Sequence, residues 1–183
     1  IFNGVSKAYS MTGWRIGYAA GNKDIIKKMK TLQSQSTSCA SSVSQAAAAA
    51  ALSASCKEMP EMNKEYKKRH DFVVDELNKI EGVECKPTDG TFYVFPSFKN
   101  FIEKNKNISN DTDLALYLLE NAKVAVVPGS AFGIEDHIRI SIAIDMESLE
   151  RAIKRIKKSL ILWFTNAFSQ KQKDVILLST KDK

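Results

Sequence analysis

The sequence predicts an α/β protein in which a strand-and-helix segment is followed by helices and then by a mixed α+β unit. Apolar residues recur at helical spacing in three separate stretches, 22–33, 60–79 and 145–156. Short runs rich in β-branched and aromatic residues, Thr91–Phe95 and His137–Ala143, interrupt these stretches and are typical of strands. The composition, 44% hydrophobic and 26% charged over 183 residues, is that of a globular protein able to bury a core.

The first elements are predicted from short apolar runs and from residues that cap helices. Ile1–Val5 is expected to be the end of a strand, and Arg15–Ala19 a short buried strand that follows a Gly-containing loop. Asn22 is a suitable N-cap for a helix that extends to Gln33. A second helix is expected over Ser41–Ala54, because its run of alanines strongly favours helix.

The next stretch is predicted to be a long amphipathic helix followed by a strand and a loop. The helix is expected to begin at Pro60, to extend to about Lys79 and to be stopped by Gly82. His70 lies in its charged sequence and is expected to be solvated. Thr91–Phe95 follows as a strand, and Phe101–Asp111, which is polar, is expected to be a surface loop.

The remaining pattern predicts two helices and two strands. A helix over Asp113–Asn121 would be capped by Asp111 or Thr112, and Val124–Val127 would be a buried strand that ends at a Pro-Gly turn. In His137–Ala143 the isoleucines alternate with polar residues, which indicates a strand with one buried face. Asp145 would then cap an amphipathic helix.

Charge and cysteine usage exclude several classes of function. The chain has 27 basic and 21 acidic residues, and its densest basic cluster, Lys154–Lys158, fits a solvated helix face better than a nucleic-acid site. Cys39, Cys56 and Cys85 are far apart and form no CxxC pair, so neither a disulfide framework nor a zinc site is expected, and a cytoplasmic location is favoured. No apolar run approaches the ~20 residues of a membrane span, so no membrane partner is expected.

Lys7 and Arg15 are the residues that suggest chemistry. Lys7 follows the first strand in a Ser- and Gly-rich loop, eight positions before Arg15. The apolar neighbours Val5 and Trp14, together with the positive charge of Arg15, would disfavour the ammonium form of Lys7, and a neutral amine can condense with an aldehyde. The planar donors of Arg15 suit a phosphate. Judged by spacing alone, however, the pair is more typical of a surface lysine and an arginine in a loop ion pair.

The wording of this segment adds a resemblance. Asn3–Gly21, NGVSKAYSMTGWRIGYAAG, resembles the cofactor-lysine signature of class I/II aminotransferases, the fold-type-I family that uses pyridoxal 5'-phosphate. The resemblance implies that Lys7 holds the cofactor covalently and later moves the substrate proton, and that Arg15 contacts the cofactor phosphate. Gly4 stands where many relatives have a phosphate-binding serine, so Ser6 or a backbone N–H group would have to replace it.

Three downstream segments continue the resemblance in the same order. PTDGTFYVFP at Pro87–Pro96 resembles the Gly-x-Phe-Tyr strand of the family, and VAVVPGSAFG at Val124–Gly133 resembles its V-x-V-x-PG-x-x-FG segment. IRISIA at Ile138–Ala143 resembles the strand that carries the arginine for the substrate α-carboxylate. The resemblance therefore implies that Arg139 binds the substrate, since an arginine can meet a carboxylate with two parallel hydrogen bonds.

Arg139 also has a simpler interpretation. An arginine on an exposed strand can pair with a neighbouring acid, here Glu135 or Asp136. The three motifs in order favour the substrate-binding role, whereas Arg139 taken alone favours the ion pair.

The resemblance also implies a function for the complete enzyme. The wording is most similar to that of bacterial aspartate aminotransferases, which implies transfer of an amino group between an amino acid, expected to be aspartate, and a 2-oxo acid such as 2-oxoglutarate. A homodimer is expected for the full-length enzyme, with no nucleic-acid partner. Relatives take the acid that pairs with the pyridine nitrogen from sequence before the lysine, so the isolated chain is expected to be inactive. The alternative is a truncated remnant of an aminotransferase without catalysis.

The predicted domains follow from the same resemblance. Because the chain opens with Ile1 in apolar sequence, we expect it to be a portion of a longer enzyme, the end of the large domain plus most of the small α+β domain. The predicted divisions are 1–40 for the large cofactor-binding domain, 41–80 for connecting helices, 81–160 for the small domain and 161–183 for an extension of unassigned role.

Overall fold

The computed structural model describes residues 1–53, 58–104 and 108–161. Its contacts divide the chain into two compact units, Ile1–Asn63 and a second that begins at Lys64, and each is described by itself. The predicted extension over 161–183 lies outside the described residues except for Ile161. None of the described helices is long and apolar enough to cross a membrane.

The first unit opens with an antiparallel pair of strands, β1 (Phe2–Gly4) and β2 (Gly17–Ala19). Gly4 faces Gly17 across the pair, and a Cβ atom on Gly4 would lie 3.3 Å from the carbonyl oxygen of Ile16. Both predicted strands are confirmed. The expected burial of the second is wrong, because in the described part of the chain it pairs with β1 alone and Tyr18 stays exposed.

Two whole helices follow in the first unit, α1 (Lys23–Ser36) and α2 (Ser42–Ser53). The predicted cap of α1 is confirmed, since the side-chain oxygen of Asn22 accepts the N–H of Asp24 at 2.9 Å and that of Ile25 at 3.4 Å. The cap satisfies two N–H groups that a helix start leaves without partners. The alanine-rich helix is confirmed within one residue at each end.

The division between the two units falls within α3 (Met59–Leu77), and most of this helix belongs to the second unit. Its apolar stripe is fully or nearly buried at Val73, Val74 and Leu77, as the spacing predicts. Gly82 has a φ of +80°, and a Cβ atom there would lie 3.1 Å from the backbone nitrogen of Phe101. Glycine therefore fits this turn for two independent reasons, its left-handed conformation and its close approach to another segment.

The prediction that His70 is solvated is wrong. The residue is 8% exposed, not solvated. Its Nε2 atom accepts the backbone N–H of Thr88 at 3.0 Å, and its Nδ1 atom lies 3.0 Å from an Asp71 carboxylate oxygen. Because Nε2 is the acceptor, Nδ1 carries the proton and donates to Asp71. The burial of His70 could not be predicted from the charged sequence of α3, because its partner Thr88 lies outside the helix.

A three-stranded antiparallel sheet lies in the second unit, in the order β3 (Tyr93–Val94), β5 (Ile138–Ser141), β4 (Val127–Pro128). Val94 is paired with Ile140, and Val127 with Arg139. The alternation predicted for β5 is confirmed, with Ile138 and Ile140 buried. The strand expected at Val124–Val127 is paired only from Val127 and is half-buried rather than buried.

Two short helices differ from the prediction. The expected loop over Phe101–Asp111 is wrong at its start, where α4 (Lys99–Glu103) buries Phe101 and Ile102. The next helix, α5 (Asp111–Tyr117), is capped by Asn110, whose side chain accepts the N–H of Asp113 at 2.8 Å. Asp111 is thus the first helical residue and not the cap. A π-helical turn, Leu118–Ala122, follows it.

The last described helix, α6, covers residues 146–161. Its predicted cap is confirmed, because Asp145 accepts the N–H of Ser148 at 2.8 Å. The apolar side of α6 closes the core of the second unit, and an ion pair between Lys157 and Glu76 joins it to α3. The largest fully buried side chains of this core are Leu77, Phe98, Phe101, Leu114, Leu118, Ile138, Ile142, Leu149, Ile153, Ile156 and Leu160.

Candidate functional site

Lys7 lies in a tight turn directly after β1. The N–H of Tyr9 donates to the Val5 carbonyl at 3.3 Å, and that of Ser10 donates to the Lys7 carbonyl at 3.1 Å. Ser10 has a φ of +55°, in the left-handed region. These bonds fix the backbone on both sides of Lys7, while its side chain is exposed. Lys7 therefore lies on an ordered turn, and its side chain is at the surface of this unit.

Arg15 lies at the other end of the same connection. It follows a 3₁₀ turn, Thr12–Trp14, and has a φ of +49°, which is uncommon for a residue other than glycine. Its Nη1 atom donates to the carbonyl oxygen of Thr12 at 3.0 Å. Within the described ranges no other hydrogen bond engages this guanidinium, so most of its donors are available to a ligand.

Residues 5–16, the connection between β1 and β2, bring Lys7 and Arg15 to one end of the hairpin. An amine and a planar group of N–H donors in one ordered loop fit a ligand that has both an aldehyde and a phosphate. The expected apolar surroundings are only partly present, because Val5 is fully buried but Trp14 is 42% exposed. The donor set thus fits pyridoxal phosphate, whereas this unit does not enclose it.

Gly4 has a structural reason to lack a side chain. A Cβ atom there would lie within 3.3 Å of the Ile16 carbonyl oxygen, which is tighter than ordinary packing. A serine at this position would require the Ile16 carbonyl to move by a few tenths of an ångström. Ser6, half-buried in the turn beside Lys7, or a backbone N–H group remains the predicted replacement for the phosphate-binding serine.

Arg139 lies in the second unit, on the half-buried face of β5. Its guanidinium carbon is 4.4 Å from the ring centre of Phe132 and 5.2 Å from that of Tyr93, within the range of cation–π attraction. In the described part of the chain it forms no ion pair, so the alternative pairing with Glu135 or Asp136 is not observed. Arg139 is thus a half-buried cation contacted by two aromatic rings.

The turn that carries Phe132 is held by hydrogen bonds from its backbone N–H groups and from that of Ile134. Asp111, which is 2% exposed, accepts the N–H of Ser130 at 2.6 Å. The N–H of Gly129 donates to the His137 carbonyl at 2.7 Å, and the N–H of Ile134 donates to the Gly129 carbonyl at 3.2 Å. Sequence reasoning assigned Asp111 to a helix cap and Gly129 to a turn, and it missed that both position the neighbour of Arg139.

His137 and Phe95 extend the aromatic group around Arg139. Their rings are stacked with centres 5.2 Å apart, and Phe95 meets Phe132 edge to face at 6.2 Å. The Nδ1 atom of His137 lies 2.7 Å from the Glu135 carbonyl oxygen. No cluster of three or more potential metal ligands occurs among the residues that the structure describes.

The groups with resolved pKa shifts lie in the second unit. Burial raises the pKa of the Cys85 thiol to about 11. Hydrogen bonds from Lys157 and Lys79 hold the pKa of Glu76 below its ordinary value. These shifts report packing of the second unit and do not assign a catalytic group.

A model of the family described as "Aminotransferase class I and II" matches residues 1–156, most of the chain. The chain belongs to the class I and II aminotransferases. Members of this family use pyridoxal phosphate, which is the cofactor that the loop of Lys7 and Arg15 fits. The predicted cofactor is thereby confirmed at the level of the family.

Among curated aminotransferases, the chain is similar to aspartate aminotransferase of Rhizobium meliloti, with 49% identity over 158 residues. It is also 49% identical over 162 residues to a probable aspartate/prephenate aminotransferase of Rickettsia conorii. These alignments cover 84% and 86% of the chain but only 38% and 40% of the relatives. The chain therefore spans about two-fifths of their length.

Solved aminotransferases share the fold. The Rhizobium meliloti aspartate aminotransferase superposes with a TM-score of 0.82 at 47% identity, over 87% of this chain and 41% of that one. The aromatic aminotransferase of Pyrococcus horikoshii superposes with a TM-score of 0.79 at 37% identity, over 87% and 42%. The predicted fold class, fold-type-I aminotransferase, is confirmed for the matched region.

Proposed function

We propose that this chain is the part of a pyridoxal-phosphate-dependent transaminase that holds the cofactor through Lys7 and the substrate through Arg139. The observation that carries the proposal is the loop between β1 and β2, which presents Lys7 and the donors of Arg15 together in a class I and II aminotransferase. The complete enzyme would move an amino group from an amino acid to a 2-oxo acid.

Each residue has a distinct chemical task. Lys7, whose turn is fixed by backbone hydrogen bonds, would attach the cofactor and then act as the general base that removes the Cα proton of the amino acid. Arg15 would hold the cofactor phosphate with donors that its bond to Thr12 leaves available. When bound, pyridoxal phosphate supplies the electron sink that stabilises negative charge at Cα.

Arg139 would orient the amino acid by its α-carboxylate. Two parallel N–H donors fix both the position and the angle of a carboxylate, which brings the Cα–H bond of the substrate to a defined place. The absence of an acidic partner among the described residues supports this role, because the guanidinium is not already neutralised.

Aspartate is the proposed amino donor and 2-oxoglutarate a suitable acceptor. The Rhizobium meliloti relative is named an aspartate aminotransferase and the Rickettsia conorii relative an aspartate/prephenate aminotransferase. We further propose a cytoplasmic homodimer for the full-length enzyme. The division of the chain is proposed as predicted, with large domain 1–40, connecting helices 41–80, small domain 81–160 and extension 161–183. The break at Asn63, inside the proposed connector, supports it.

Borohydride trapping tests the role of Lys7. The chain is incubated with pyridoxal phosphate, reduced with borohydride and digested, and the modified lysine is located by mass spectrometry. We expect the adduct at Lys7, its loss in Lys7→Ala and its retention in the control Lys27→Ala, which removes an exposed lysine of α1. Labelling that is unchanged in Lys7→Ala would refute the assignment. Absence of any specific adduct would favour the inactive remnant.

A further inference from the structure

We propose that Phe132 and Tyr93 are positioning residues that hold the guanidinium plane of Arg139 so that its N–H edge faces the substrate carboxylate. The inference rests on the proposed substrate-binding role of Arg139. It concerns two aromatic side chains to which the sequence motifs assign no task.

The two rings contact the guanidinium of Arg139 without forming hydrogen bonds to it. The guanidinium carbon of Arg139 lies over both rings, 4.4 Å from the centre of Phe132 and 5.2 Å from that of Tyr93. Hydrogen bonds from a guanidinium lie within its plane. Two rings can therefore restrain Arg139 without occupying the donors that a carboxylate needs. An acidic partner would restrain Arg139 equally well, but it would compete with the substrate for those donors.

The register of the sheet places Tyr93 and the turn of Phe132 beside Arg139. Arg139 lies in the central strand, β5, with β3 on one side and β4 on the other. Tyr93 of β3 is paired with Ser141, two residues from Arg139 on the same face, so it is a diagonal neighbour of Arg139. Arg139 itself is paired with Val127 of β4, and the turn that follows β4 carries Phe132. One ring thus comes from the strand on one side of β5, and the other comes from the turn after the strand on the other side.

Phe132 is held in place by the backbone of its turn. The ring is 48% exposed, so burial alone does not fix it. Its backbone is fixed instead, because Asp111 accepts the N–H of Ser130 and Gly129 is bonded to His137. Phe95 contacts the ring edge to face. A half-exposed ring on a firmly held turn is suited to contact a neighbouring side chain at the surface.

The test uses the 183-residue chain with arginine side chains labelled for NMR, and succinate as a carboxylate probe that cannot react. In the wild-type chain we expect the Nε–H signal of Arg139 to carry a ring-current shift and to move on succinate addition. Phe132→Leu keeps an apolar side chain but removes the ring, so the shift should shrink and succinate should bind about three- to tenfold more weakly. Phe132→Tyr should restore both.

The controls separate this inference from the function on which it rests. Leu116→Ala truncates another half-exposed apolar residue of the same unit and should leave both readouts unchanged. Arg139→Ala removes the NMR reporter, so succinate binding to this variant is followed by isothermal titration calorimetry, and the substitution should abolish the succinate response. If it does not, or if the wild-type chain gives none, the substrate-binding role of Arg139 is wrong and the inference falls with it. If Arg139→Ala abolishes the response but Phe132→Leu matches the wild type in shift and affinity, only the positioning role is wrong.

Discussion

The carboxylate of Asp111, which is almost completely buried, accepts the backbone N–H of Ser130 at 2.6 Å. This bond ties the start of α5 to the turn after β4, two segments that are 19 residues apart in sequence. A buried carboxylate is costly unless it is hydrogen-bonded, and a bond from an N–H group to a carboxylate is among the stronger hydrogen bonds. The pair therefore stabilises the unit and the turn that carries Phe132.

Asp111→Ala is expected to lower the free energy of unfolding by about 1–3 kcal/mol, because it removes a hydrogen bond to a charged group that joins two segments of the unit. Urea unfolding followed by circular dichroism measures the change. Glu120→Ala, which removes an exposed carboxylate from the turn after α5, serves as the control and should change stability by less than about 0.5 kcal/mol. Equal stability of the two variants would contradict the role given to Asp111.

Gly129→Ala is expected to be among the most damaging single-methyl additions in the chain. The new Cβ atom would lie 2.7 Å from the Cβ of His137 and still closer to the Ile134 carbonyl oxygen. Relief requires the backbone of the turn to move, at a cost of about 1–3 kcal/mol or more. Thermal unfolding of Gly129→Ala and Gly90→Ala gives the comparison.

Gly90 is the matched control because a Cβ atom there would meet nothing within 4 Å. Gly90→Ala should therefore stay within about 0.5 kcal/mol of the wild type. A Gly129→Ala variant as stable as Gly90→Ala would show that the close approach at the turn is not restrictive.

The long helices and their caps were predictable from the sequence because their signals are local. Asn22 and Asp145 accept N–H groups two or three residues away, and an apolar stripe is visible in any single helix. The short helix α4 was missed for the opposite reason. Phe101 and Ile102 are buried by the rest of the unit, and only tertiary contacts override the polar sequence around them.

The candidate site was likewise only partly predictable from the sequence. The placement of Lys7 and Arg15 in one loop followed from a continuous motif and needed only the pairing of β1 with β2. The surroundings of Arg139 did not follow, because Tyr93 reaches it from another strand and Phe132 from the turn after a third. Their contacts depend on a sheet register that no local pattern specifies. The buried His70 was likewise hidden, because Thr88 lies 18 residues away.

Cys85 should resist modification in the folded chain. It is buried, and desolvation raises the pKa of its thiol to about 11, so the reactive thiolate is scarce at pH 8. Cys39 is exposed. In a Cys56→Ser background, we expect iodoacetamide to modify Cys39 in the native chain and Cys85 only after urea unfolding. Mass spectrometry of the alkylated peptides measures both. Modification of Cys85 at a rate similar to that of Cys39 would contradict the burial of its side chain.

Glu76 should contribute to the loss of stability in acid. Hydrogen bonds from Lys157 and then Lys79 hold its pKa below the ordinary 4.5 in the folded chain. A carboxyl whose pKa is lowered by folding stabilises the folded state above its ordinary pKa, and this contribution disappears as the pH falls through the lowered value. Glu76→Gln cannot titrate, so between pH 5 and the lowered pKa its stability should fall less steeply than that of the wild type.

Urea unfolding at a series of pH values from neutral to acid measures that slope for wild type, Glu76→Gln and the control Glu65→Gln. Glu65 is exposed on the same helix, so its substitution should leave the wild-type profile in place. At neutral pH Glu76→Gln should be the least stable of the three, since it loses the ionic contacts of Glu76 with Lys157 of α6 and with Lys79 in the turn after α3. Because stability differences among the three proteins are compared at each pH, acid titration of other carboxyls cancels. Parallel profiles for all three would mean that the Glu76 carboxylate gains nothing from Lys157 in the folded chain.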